Sequence, residues 1–326
     1  MYNQAEWIFS NYEIEIHGII KGRGTYICET GNGKKVLTPF RGSKEKGKLL
    51  HDSLQTLAES GFMVEQIELN KNQEAVTEDE NTGERFVLKN YVEGTEVSTE
   101  RLEDMKEAVK VLAIFHNASA KINPVISSYI QRESVVEQYQ RHNRELIKAR
   151  NYIRNKKKRS EFEQIYMKNY EKNRLLADRS LHILEQQAKG TEENYLFCHG
   201  DYNQHNIVLT AGRYQIVNFE NFSFNWAMTD LANFLRKMLE KNNWEERIGK
   251  ELISTYESYR RMEKREYAQL YGLLLFPEKF WKVTNHYMNS RKTWISGKEI
   301  DKLKRVMEQE EQRLNFMENI FSFPKE

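Results

Sequence analysis

The sequence predicts an α+β fold, with a small β-rich N-terminal part and a large, mostly helical C-terminal part. Residues 1–93 carry short alternating runs separated by Gly and Asn turns. Residues 94–326 carry long stretches with apolar residues at helical spacing, broken by a polar loop and hairpin at 195–220. At 326 residues the chain is long for one globule and natural for two lobes sharing a cleft.

The N-terminal elements read as follows. Tyr12 to Ile16 alternates, and Gly22-Arg23-Gly24 turns the chain into a second strand, Thr25 to Thr30. Gly31-Asn32-Gly33 is a hairpin turn, since Asn and Gly tolerate positive φ, and Lys34 to Phe40 is the third strand. A helix follows, with Ser43 as N-cap, Leu50, Leu54 and Leu57 on one face, and Gly61 as C-cap. Phe62 to Leu69, Ala75 to Asp79 and Arg85 to Val92 complete the strands. The Gly22-Arg23-Gly24 turn has two readings, a phosphate-covering loop or a plain hairpin turn.

Beyond Ser98 or Thr99 a helix places Leu102, Met105, Leu112 and Phe115 inward, with His116 at the core edge. Residues 130–188 read as one or two long charged helices. The run Arg154 to Arg159 within them is either a solvated helix face or a contact for an acidic partner. Thr229 to Glu240 and much of 244–262, 264–290 and 297–318 are helical, with Trp226, Trp244, Trp281 and Trp294 as packing residues.

Composition narrows the function classes. With 39% hydrophobic and 30% charged residues, the chain can bury a core under a charged surface. Its net charge of +2 argues against a nucleic-acid binder. Cys28 and Cys198 lie far apart, give neither a disulfide framework nor metal-ligand spacing, and fit a reducing compartment. The start, MYNQAEWIFS, does not read as a signal peptide, and no stretch approaches the roughly 18 apolar residues of a membrane span. The expected location is cytoplasmic.

Chemistry concentrates at 195–220. Tyr195 to Cys198 is a short apolar run, and His199-Gly200-Asp201 opens a polar segment ending at Asn206. Ile207 to Thr210 and Arg213 to Phe219 form a hairpin across Ala211-Gly212, which brings Asn206 beside Asn218. Phosphoryl transfer needs a carboxylate at the acceptor hydroxyl and oxygen ligands for magnesium nearby. Asp201 suits the first task, and Asn206 the second.

His-Gly-Asp, four residues, then Asn resembles the catalytic segment of aminoglycoside phosphotransferases and their choline kinase-like relatives. The strand order around the first helix likewise resembles the small lobe of a bilobal protein-kinase-like fold. The resemblance implies ATP and magnesium as cofactors, with Asp201 as the base. It implies nucleotide contacts at Gly22, Gly24 and position 38, an adenine-binding hinge at Tyr91 and Val92, and metal ligands at Asn206 and position 218. An Asp at the start of a later helix, here Asp230, would brace the catalytic loop.

Two of these positions depart from the pattern. Thr38 stands where a phosphate-binding Lys is expected, and Asn218 where a metal-binding Asp is expected. Lys34 or Lys35 would need a register shift to substitute, and Glu220 would have to swing in to restore the acid. The expectation is a degenerate site with ATP and magnesium binding weak or lost; the alternative is an active small-molecule kinase acting on a hydroxyl of a sugar, amino alcohol or aminoglycoside. Over the whole chain the arrangement looks most like the CotS-type spore coat proteins of endospore-forming bacteria. The likeness rests on Leu37-Thr38-Pro39, Tyr91 to Gly94, His199 to Asn206, Asn218 to Glu220 and Asp230 to Leu235. It implies a role in the mother cell and then in the spore coat, with other coat proteins as partners.

Overall fold

The computed structural model describes residues 2–22, 24–122, 134–189, 195–290 and 297–321. The chain divides into two compact units. The first comprises Met1–Ser98, Lys110–Arg132 and Leu196–Phe224; the second comprises Thr99–Val109, Glu133–Tyr195 and Asn225–Glu326.

The first unit begins with helix α1 (Tyr2–Phe9), then β1 (Ile16–Lys21), β2 (Tyr26–Thr30), β3 (Gly33–Pro39), α2 (Lys44–Glu59), β4 (Ile67–Glu68), β5 (Thr77–Glu78), β6 (Arg85–Asn90) and β7 (Thr95–Glu96). Strands β1-β2-β3-β6-β4 form one sheet in that order, with β5 also pairing β6. Helix α3 (Leu102–Ser119) enters this unit from the second, and β8 (Leu196–Cys198), β9 (Ile207–Thr210), β10 (Arg213–Ile216) and β11 (Ser223–Asn225) complete it. Strands β10-β9-β7 form a small second sheet, and β11 pairs β8.

Side chains alternate across the main sheet, and the two faces do different things. On one face Cys28, Leu37, Phe86 and Leu88 pack with Ala5, Ile8, Phe9 and Tyr12 in a closed apolar cluster. The sequence reading placed no helix at α1, whose short apolar stripe becomes legible only beside the sheet face that it covers. The same packing explains why β1 starts at Ile16 rather than Tyr12: Tyr12 is a core residue whose hydroxyl accepts a 2.9 Å bond from Thr77. On the other face lie Val36, Thr38 and Lys89, because Val36 pairs with Lys89 and Thr38 with Val87 across the antiparallel β3–β6 ladder.

The expected turns and caps are present. Gly33 takes φ 96° in the β2–β3 hairpin, and the Ser43 hydroxyl accepts from the Lys46 amide at the start of α2. Gly22 lies at the tip of the β1–β2 hairpin, its N–H bonded to Thr25 C=O at 2.9 Å; Arg23 lies outside the described residues.

The second unit is helical. It holds α4 (Val135–Arg154), α5 (Glu161–Ala188), α6 (Ala227–Lys241), α7 (Glu246–Tyr259), α8 (Lys264–Leu275), α9 (Glu278–Asn289), α10 (Gly297–Glu308) and α11 (Glu310–Ile320). Helices α4 and α5 run antiparallel: the Tyr166 hydroxyl donates to Leu146 C=O, Asn143 meets Asp178, and Gln140 meets Glu185. Capping boxes at Ser134 and Ser160 start both helices.

The basic run at 154–159 is therefore a helix end and a connection rather than a helix face. Arg159 donates to the Ile153 and Arg154 carbonyls at the C-terminus of α4, and Lys156 pairs with Glu163 at 2.6 Å. Trp226 and Trp244 are buried, while Trp281 stacks on His142 with ring centroids 3.4 Å apart and donates to Glu145. Trp294 lies outside the described residues. No described helix is long and apolar enough to cross a membrane.

Burial holds His142 neutral, with its pKa lowered to about 4. Its folded pKa lies below the unfolded value, so stability is lost as pH falls from about 6.5 toward the folded value. The expected loss is on the order of 3 kcal/mol. His142→Phe keeps a ring against Trp281 and removes the proton. Its melting temperature should match the wild type above pH 7 and exceed it increasingly from pH 6.5 to 4, measured by calorimetry.

Candidate active site

The candidate site lies wholly within the first unit and is built on the loop after β8. His199 is fully buried. Its Nε2 meets Val217 C=O at 2.9 Å, and its Nδ1 meets the Asp201 N–H at 3.1 Å. A carbonyl requires a donor and an amide requires an acceptor, so the ring is the neutral tautomer with its proton on Nε2. Gly200 has φ +79°, and a Cβ there would lie 2.0 Å from Asn221 O, so only glycine fits.

Two amides then fold the backbone around Asp201. Asn203 Nδ2 and Asn206 Nδ2 both donate to Asp201 C=O, at 2.8 and 2.9 Å. The half-buried Asp201 side chain is thus carried on a loop whose backbone is held from both sides. With its nitrogen committed, Asn206 turns Oδ1 toward Asn218, whose Nδ2 donates to it at 2.9 Å. The hairpin expected to bring these two residues together does so. Asn218 has φ 66° and ψ 55°, the left-handed region that Asn tolerates better than most residues.

The next residues decide the charge. Phe219 packs its ring against Phe115, Phe197 and His199 in an aromatic bed, and Glu220 emerges at the far side of that turn. Glu220 Oε1 accepts from the Thr38 hydroxyl at 3.1 Å and from the Lys89 ammonium. Lys89 also lies 3.0 Å from Glu65 Oε2 and 3.1 Å from Asn218 Oδ1. The parallel bridge Val64–Ile216 holds Glu65 under the end of the hairpin, where its carboxylate accepts the Asn218 and Phe219 N–H groups at 2.8 and 3.0 Å.

The Lys89 and Glu65 side chains are only 2% and 3% exposed, so these charges exist because they are paired. Burial alone would lower the Lys89 pKa, but Glu65 and Glu220 outweigh it and hold the ammonium above its ordinary value. Burial alone would raise the Glu220 pKa, but Lys89 outweighs it and holds the carboxylate below its ordinary value.

The structure adds a lysine that the sequence reading did not place at the site. Thr38 faces the site as a neutral hydroxyl, as expected, but a lysine arrives from the adjacent strand. Neither proposed substitute reaches it. Lys34 pairs with Glu93, while Lys35 pairs with Glu68 and donates to Asn90 at 2.7 Å. Of the hinge residues, Tyr91 gives its N–H to Lys34 C=O at 3.0 Å, Val92 follows it outside the strands, and Gly94 lets β9 approach. Asp230 is buried in the first turn of α6, in the second unit.

Sequence reasoning missed Lys89 and Glu65. The available signal was a lone charge in an apolar strand: Lys89 closes Phe86-Val87-Leu88, and Glu65 follows Phe62-Met63-Val64.

The oxygens of Asn206, Asn218 and Glu220 are hard donors suited to magnesium. Two of them, Asn218 Oδ1 and Glu220 Oε1, already share one cation, the Lys89 ammonium. Their donor chemistry suits a divalent ion, while each of the three oxygens is already engaged, Asn206 Oδ1 by the Asn218 amide and the other two by Lys89.

Comparison with known proteins bears on the family and the fold. The family described as phosphotransferase enzyme family matches residues 18–273. Among solved structures, an aminoglycoside phosphotransferase from Alicyclobacillus acidocaldarius has a TM-score of 0.82 at 18% identity, covering 96% of this chain and 94% of that one. A spectinomycin phosphotransferase in complex with ADP and spectinomycin has a TM-score of 0.69 at 14% identity, covering 97% and 98%. An amicoumacin kinase in complex with AMP-PNP, Ca2+ and its ligand has a TM-score of 0.67 at 14% identity, covering 96% and 93%. No curated protein matched.

The β-sheet N-terminal region and helical C-terminal region are those of the kinase-like fold of aminoglycoside phosphotransferases. The chain belongs to the phosphotransferase enzyme family.

Neutralising Glu65 removes one of the two carboxylates that balance the buried Lys89 charge. Glu65→Gln should cost about 3–5 kcal/mol in urea unfolding, whereas Glu68→Gln, which breaks a partly exposed pair, should cost less than about 1. Glu220 has a depressed folded pKa, so its contribution is complete above about pH 4.3 and drains away as pH falls through the folded value. The melting-temperature gap between wild type and Glu220→Gln should be widest at neutral pH and close in acid.

Proposed function

We propose that this protein is an ATP-dependent phosphotransferase acting on a hydroxyl of a small molecule such as a sugar, amino alcohol or aminoglycoside. The observation that carries the reading is the convergence of two carboxylates, Glu65 and Glu220, on the Lys89 ammonium, which also meets Asn218 Oδ1 of the Asn206–Asn218 pair beside the loop bearing Asp201. A site of this kind works by positioning and charge stabilisation, and here Lys89 and Glu220 supply the kinds of charge expected at 38 and 218. Family membership supports the reading, as does the nucleotide bound in two structures of similar fold.

In this reading Asp201 orients the acceptor hydroxyl and takes its proton. Asn206 and Glu220 hold magnesium, which when bound neutralises charge on the nucleotide phosphates. Gly22 and Gly24 leave backbone room near the phosphates, and Tyr91–Val92 line the adenine side through groups other than the Tyr91 N–H. The resemblance to CotS-type proteins supports a place in the mother cell and then in the spore coat, among other coat proteins.

One observation favours a second reading, a coat scaffold with a silent site. The Asn218 amide, in the position of an expected acid, occupies Asn206 Oδ1 rather than leaving it for a metal.

Thermal shift with ATP and magnesium, followed by γ-phosphate turnover against a panel of hydroxylated compounds, separates the two. A magnesium-dependent shift with turnover abolished in Asp201→Ala is the expected result. A shift without turnover on any acceptor favours the scaffold. No shift under any condition overturns nucleotide binding.

A further inference from the structure

Positions 38 and 89 are linked by the geometry of one ladder. Val36 pairs with Lys89 and Thr38 with Val87, so Thr38 and Lys89 are diagonal neighbours on the same sheet face. Both side chains end on one atom: the Thr38 hydroxyl is 3.1 Å from Glu220 Oε1, and the Lys89 ammonium bonds that same oxygen. A lysine rooted at either position can therefore deliver its charge to the same point. The acid has shifted in a similar way. The position after the hairpin strand is Asn218, and the carboxylate facing the lysine comes from Glu220, two residues later.

We propose that Lys89 is the phosphate-contacting residue of the nucleotide site, and that Lys89 and Glu220 form a matched pair standing in for a lysine at 38 and an acid at 218. This inference rests on the nucleotide-binding reading above and adds to it which residues contact the ligand.

The bonding pattern around Lys89 supports an exchange on binding. Glu65 is fixed: besides Lys89 it holds two backbone N–H groups, and its side chain is 3% exposed. Glu220 is held only by side chains and its own backbone, and its side chain is 20% exposed. An incoming phosphate oxygen can replace Glu220 on Lys89 while Glu65 keeps the ammonium in place. Glu220 is then free to face the cation that accompanies the nucleotide. No covalent bond forms or breaks.

The test is ADP affinity, measured by calorimetry with and without magnesium on the full chain. Lys89→Met should weaken ADP binding about tenfold or more, the usual loss for one charge-assisted bond. Lys35→Met, which alters a lysine pointing away from the site, should leave affinity unchanged. The double variant Thr38→Lys/Lys89→Met should recover affinity to within a few-fold of wild type. Glu220→Gln should lose the magnesium-dependent gain in ADP affinity.

Wild type that binds ADP while a folded Lys89→Met binds it equally well overturns the inference alone. Wild type that binds no ADP overturns the nucleotide reading and the inference with it. If Lys89→Met fails to fold, the double variant decides: folded and binding supports positional equivalence, folded and not binding overturns it.

Discussion

The site depends on one buried ammonium. Lys89 sits at the end of an apolar strand, almost without solvent, and is stable there because Glu65 and Glu220 close around it. A lysine buried alone would shed its proton or force the strand apart. The pairing therefore fixes more than a charge. Glu65 grips the backbone where β10 gives way to the Asn218 turn, so β6, the segment after α2 and the catalytic-loop hairpin are held to a common point. The geometry of Asn206, Asn218 and Glu220 follows from that constraint.

A second constraint shapes the loop itself. Asp201 is the residue that any phosphotransfer reading needs, and its loop is polar apart from the fully buried Tyr202 beside it. Amide bonding supplies much of the rest. His199 spans from the Asp201 N–H to Val217 C=O, and Asn203 and Asn206 share the Asp201 carbonyl. The His199, Asn203 and Asn206 side chains each bond backbone groups of the loop or hairpin, which explains why a loop of this composition can be rigid. The rings of Phe115, Phe197 and Phe219 add an apolar bed, with the His199 ring against Phe219.

The meeting of Thr38 and Lys89 on one Glu220 oxygen shows how antiparallel pairing brings side chains of adjacent strands to one point. Residues on one face of adjacent strands lie within a side chain's reach of one another. A long flexible side chain such as lysine can thus change its strand of origin without changing where its charge arrives. Read along the chain, Thr38 and Asn218 are two losses. Read across the β3–β6 ladder and around the turn after β10, Lys89 and Glu220 lie beside them.

The sequence by itself determined the α+β class, most of the strands and helices, the Asn-Gly hairpin, the Ser43 cap and the meeting of Asn206 with Asn218. These follow from local rules: alternation, helical spacing, turn chemistry and a short hairpin's fixed register. It left α1 unseen, placed the start of β1 too early and read a helix face where Arg159 caps a helix end. Only the tertiary structure decided the charge of the site. Lys89 and Glu65 are 24 residues apart, and both are far from Glu220 in sequence. No local period links them, because their partnership exists only once the sheet register and the hairpin turn bring three distant segments to one buried point.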